Sequence, residues 1–93
     1  MGDEPLTDDE LDELERLTSA ATPAPWTANI EEEAPIGGGS MIGLDGLPDE
    51  FPPDMYVYHD RKIAPSADIK FIAAARNYVP RLISELRQLR GHS

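Results

Sequence analysis

The sequence predicts an α+β fold. An N-terminal helix is followed by a small antiparallel sheet of two to three short strands with a Gly/Pro-rich loop. A long C-terminal helix, kinked or broken between Asn77 and Pro80, closes the chain. Three observations carry this expectation. A capping box opens an amphipathic stretch near the N-terminus, apolar and polar residues alternate in short runs through the middle, and a helical apolar periodicity fills the last third.

Thr7 is an N-cap residue type, and Glu10 stands where its carboxylate can reach back to the cap. Leu6 and Leu11 hold the hydrophobic-staple positions, and Asp8 and Asp9 place negative charge at the positive end of the helix dipole. Leu11, Leu14, Leu17 and Ala21 share one face, with Asp9, Asp12, Glu13 and Arg16 opposite. The spacing predicts a helix from Asp8 to Ala20. Thr22-Pro23-Ala24-Pro25 ends it, because proline cannot donate to the helix and restricts the residue before it.

Trp26, Ala28 and Ile30 alternate with Thr27, Asn29 and Glu31, the pattern of a half-buried strand. Trp26 is expected to fill the core where helix meets sheet, with ligand stacking as its alternative role. Gly37-Gly38-Gly39-Ser40 reads as a flexible loop. A phosphate cradle would open a helix, whereas Met41-Ile42-Gly43-Leu44 reads as a short strand. Asp45-Gly46 signals a turn, and Pro48, Pro52 and Pro53 forbid regular pairing, so a mobile surface loop is expected there. Residues 55–59 alternate again and predict the last strand, with Met55, Val57 and His59 on one face and Tyr56 and Tyr58 on the other.

In the last third, Ser66 is the expected N-cap and Asp68 lies in the first turn. Phe71, Ala75, Tyr78, Leu82, Leu86 and Leu89 form one stripe, widened by Ile72, Val79 and Ile83. An arc this wide suits packing against both a sheet and a second helix. Pro80 would be costly inside a helix, so Asn77 is expected to cap a second helical segment with Pro80 in its first turn. Gly91 is the expected stop.

Length and charge bound the function. The chain has 93 residues, enough for one small domain over 1–93, with 1–6 and 91–93 expected to fray. It has no cysteine and only two histidines, His59 and His92, so disulfides, thiolate metal sites and Cys nucleophiles are excluded, and neither metal nor cofactor is expected. A net charge of −10 argues against nucleic acid and against anionic membranes. No apolar run is long enough to span a bilayer, the acidic N-terminus does not read as a signal peptide, and a cytoplasmic location is expected. Residues 1–60 hold 16 acids and one base, a charge of −15, whereas residues 61–93 hold two acids and seven bases, a charge of +5. The two helices are therefore expected side by side with complementary edges, leaving an acidic face for a basic partner.

No catalytic residue emerges. His59 and Asp60 are strand neighbours pointing to opposite faces, and Ser40, Ser66 and Ser84 lack the setting of a nucleophile. Glu31-Glu32-Glu33 and Asp45, Asp49, Glu50 and Asp54 lack the spacing of a calcium loop. The one local combination of aromatics with cations is Tyr56, Tyr58, His59, Arg61 and Lys62, which with Trp26 forms the candidate ligand site. The candidate interface is Phe71, Ile72, Tyr78, Val79, Leu82, Ile83, Leu86 and Leu89. A homo-oligomer, dimer or larger, is expected, because self-association would supply the burial that so small a core lacks. Arg76, Arg81, Arg87 and Arg90 lie at different angles on the helix and do not make a nucleic-acid patch.

Ala21-Thr22-Pro23-Ala24-Pro25-Trp26 after an acidic, Leu-rich helix, together with the run 68–83 (Asp68-Ile69-Lys70-Phe71 through Arg76-Asn77-Tyr78-Val79-Pro80 to Ile83), resembles the ead-type family of small phage and prophage proteins, abundant in actinobacteria and their phages. The match covers residues 7–31 and 66–89, with a variable middle that here is richer in proline. The resemblance implies an accessory gene of a phage or mobile element, acting in the host cell, with no catalytic residues to carry over. The expected function is stoichiometric, non-catalytic binding to a host or defence protein. Alternatives are an oligomeric sponge for a small nucleotide-like signal and an acidic mimic of DNA.

Overall fold

The computed structural model describes residues 4–33 and 39–91. Gly37 and Gly38 of the expected flexible loop, His92, and the outermost residues expected to fray, 1–3 and 92–93, lie outside the described residues.

Helix α1 spans Asp8–Ala20, as its pattern predicts. The capping box is closed in both directions: Thr7 N–H donates to Glu10 Oε1 at 2.9 Å, and Glu10 N–H donates to Thr7 Oγ1 at 3.1 Å. Ala21 ends the helix in an extended conformation, and the chain then runs through the two prolines to the sheet.

Strands β1 (Thr27–Asn29), β2 (Met41–Gly43) and β3 (Asp54–Met55) form an antiparallel sheet in the order β1-β2-β3. The register places Ala28 and Met55 on either side of Ile42. The central strand is buried at all three residues.

The single strand expected over 55–59 is divided. Strand β4 (Tyr58–His59) leaves the sheet and pairs with β5 (Lys62–Ile63) in a separate hairpin. Asp60 makes the turn with φ 59°, a left-handed conformation that Asp tolerates better than most residues. The Ala64 N–H then donates to the Val57 carbonyl at 2.8 Å and returns the chain to the core. Met55 and Val57 face inward, while Tyr56, Tyr58 and His59 are exposed.

Helix α2 runs from Ser66 to Gly91. Pro65 rather than Ser66 precedes it, and the Pro65 carbonyl accepts the N–H groups of Asp68 and Ile69. Of the kink or break expected between Asn77 and Pro80, the break does not occur: the helix continues through Pro80, and Asn77 caps nothing. The helices are antiparallel, since Arg76 reaches Thr18 and Thr22, Arg87 reaches Asp12 and Glu15, and Arg90 faces Asp8.

Ile30, Ile42, Ala64 and Ile69 form the core, with Trp26, Leu44, Met55 and Val57 among the side chains packed on it. Leu11 and Ile83 are buried where the helices meet. The inward face of α2 is therefore Ile69, Ala73 and Ile83, and the expectation that the Phe71 stripe packs inward is overturned. At about 100° per residue, Phe71, Tyr78, Leu82 and Leu89 lie on the opposite side of the helix. The buried line contains Arg76, a charge that breaks its apolar signature and makes the outer stripe look like the better core face.

Candidate functional site

The connection from α1 to β1 meets the middle of α2. Asn77 Oδ1 accepts the Trp26 N–H at 2.8 Å, and Asn77 Nδ2 donates to the Trp26 carbonyl at 2.8 Å. The side chain pairs with one residue's backbone as a neighbouring strand would. Beside it, Arg76 Nε donates to the Thr22 carbonyl at 2.9 Å and a terminal nitrogen donates to the Thr18 carbonyl at 3.2 Å. The guanidinium lies 6.0 Å from the centre of the Trp26 ring, and the indole N–H donates to the Thr22 carbonyl at 3.1 Å. Arg76 thus serves carbonyls that the end of α1 leaves without helical donors. Gly46 lies against the same connection: a Cβ there would stand 2.1 Å from the Pro23 carbonyl oxygen. Trp26 is half-buried between the connection and the core.

Of the candidate ligand residues, Tyr58, His59, Arg61 and Lys62 share the β4–β5 hairpin, and Tyr56 lies just before it, all exposed. No hydrogen bond or ring contact joins Trp26 to them among the described residues. Four open depressions on the described surface are lined by other residues. His59 Nε2 lies 2.7 Å from Asp68 Oδ2, an exposed pair that ties the hairpin to the first turn of α2. No hydroxyl hydrogen-bonds to His59 among the described residues. Ser40 is buried and accepts the Glu31 N–H at 2.9 Å. No group of three or more metal-ligating side chains converges among the described residues, and no helix there is long and apolar enough to cross a membrane.

The charge asymmetry resolves into ion pairs between the halves of the chain. Arg87 bridges Asp12 at 2.8 Å and Glu15 at 2.9 Å, and these carboxylates, Asp12 foremost, hold its guanidinium above its ordinary pKa. Lys70 pairs with Glu33, and Arg90 lies 3.6 Å from Asp8. Within α1, the Arg16 hydrogen bond holds the Glu13 carboxyl below its ordinary value. Among the described residues Arg61, Lys62 and Arg81 make no ion pair.

Two apolar features stand out on the described surface. The first is Phe51, 85% exposed on the loop between β2 and β3, among Asp49, Glu50 and Asp54. Its base is held by the Leu44 N–H donating to the Pro53 carbonyl at 3.1 Å and by the Thr27 hydroxyl donating to Asp45. No periodicity points to Phe51; its signal is that an aromatic belonging to no periodic element and flanked by acids and prolines has no core face to join. The second is the outer face of α2. Of the candidate interface residues, Phe71, Tyr78, Leu82 and Leu89 are exposed, Ile72, Val79 and Leu86 are half-buried, and Ile83 is buried. Between Leu6, Leu11 and Leu14 of the N-terminal segment and Val79, Leu82 and Leu86 runs a wholly apolar groove of about 140 Å³. No family model, curated protein or solved structure matches the chain.

Proposed function

We propose that the protein acts by stoichiometric, non-catalytic binding of another protein, with the acidic Phe51 loop as the contact. The observation that carries this reading is Phe51 itself, a large aromatic 85% exposed on a loop tethered at its base. Aromatics that fill a partner's pocket dominate binding energies, and a loop already held at its ends loses less entropy when it docks. Asp49, Glu50 and Asp54 have no cation partner among the described residues, so the loop selects a basic surface. The resemblance of residues 7–31 and 66–89 to the ead-type family supports a phage or mobile-element setting, with a host or defence protein as the target.

The test is recovery of the tagged chain from host cells with quantification of what accompanies it. A basic protein at a fixed molar ratio is the expected companion, and Phe51→Ser should weaken its binding by about tenfold or more without changing the circular dichroism spectrum. Neutralising Asp49, Glu50 and Asp54 to amides should weaken it as well. Undiminished binding by both variants overturns the reading.

A further inference from the structure

We propose that the outer face of α2 is covered by the same face of a second copy of this chain, the two helices antiparallel about a two-fold axis at Leu82. Phe71, Tyr78, Leu82 and Leu89 are 73%, 54%, 60% and 82% exposed and lie along one side of the helix. Together they present roughly 500 Å² of surface, as large as the largest apolar patch of an ordinary monomer. A stable interface takes about 800 Å² from each partner. The groove beside Val79 and Leu86 joins the seam through Leu82 and extends it toward that size.

The seam is complementary to itself. With the axis at Leu82, this residue meets its own mate, Tyr78 lies level with Leu86 of the second copy, and the small Ala75 lies level with Leu89. Phe71 then flanks that Leu89 one turn further on.

Charge selects the same partner. At a net charge of −10 two copies repel over most of their surfaces. Helix α2 is the exception, with two acids against five bases. Four of those bases are engaged within the chain, Lys70, Arg87 and Arg90 in ion pairs and Arg76 on the carbonyls of the α1–β1 connection. That leaves Arg81 and Glu85 on the outer side, one turn apart, neither in an ion pair among the described residues. Arg81 instead lies over Tyr78, 5.2 Å from the ring centre. The antiparallel arrangement brings each Arg81 within a turn of the second copy's Glu85. A strongly charged foreign partner gains nothing from a seam carrying one charge of each sign.

The experiment is sedimentation velocity and native mass spectrometry of the full chain at micromolar concentrations. The wild type should be a dimer, and Leu82→Glu a monomer of unchanged helicity. Arg81→Glu and Glu85→Arg should each weaken the dimer by about tenfold, because each sets like charges opposite one another. The double variant should restore it, since the exchanged charges again face their opposites. Phe51→Ser should leave the dimer intact, which separates this proposal from the one above. A wild type that stays monomeric at 100-fold higher concentration, its seam left to a different protein, overturns the proposal. A dimer that the double exchange fails to restore overturns the antiparallel pairing.

Discussion

The amide of Asn77 serves Trp26 twice, as acceptor of its N–H and donor to its carbonyl. Asn77→Ala leaves both backbone groups half-buried without that partner and should lower stability by about 2 kcal/mol, measured by urea unfolding followed through Trp26 fluorescence. Gly46 is the other residue at which this joint tolerates nothing larger. Gly46→Ala drives a methyl group into the Pro23 and Ala24 carbonyls, which are backbone and cannot rotate away, and should cost about 3 kcal/mol in the same assay. The Glu13–Arg16 pair sets a pH effect of known sign. Because the folded carboxyl has a lowered pKa, its contribution is complete above the ordinary carboxylate value and is lost as pH falls through the folded one. In an NMR titration, Arg16→Ala should move the Glu13 midpoint upward.

At the scale of elements, the first helix was legible to the residue because its signals are local: a capping box at one end and prolines beyond the other. The sheet was legible in part. The alternation over residues 55–59 is genuine, but the turn at Asp60 carries no glycine, so nothing in the sequence marked the hairpin that splits the run. Two features of α2 are hidden in the sequence by polar residues whose partners are distant along the chain. Asn77 resembled a cap because its engagement with Trp26 lies far along the chain, and Arg76 hid the buried face by placing a charge in it. The candidate site fared similarly: the hairpin gathers four of its residues, while Trp26 belongs to the joint between the helices. Pro80 now stands inside a continuous helix, where it offers no N–H to the Arg76 carbonyl. Pro80→Ala should therefore raise stability, by about 1–2 kcal/mol, because the relief in the helix is partly offset by a freer unfolded chain. Chemical denaturation checks the direction.

The molecule measures 51 × 35 × 21 Å, with an apolar core under the sheet and a second apolar surface along the outer side of α2. If two copies share that side, stability depends on concentration. The midpoint of thermal unfolding should rise by about 3–5 °C for each tenfold increase in protein. A midpoint independent of concentration counts against the shared seam. The Trp26 joint has a consequence for how the molecule is made. Its two sides are 51 to 58 residues apart, and the later side lies within α2. The opening helix therefore leaves the ribosome with no docking partner yet synthesised. Closure waits until Arg76 and Asn77 have been made, so a chain halted before them is an acidic fragment whose first helix has nothing to fasten it.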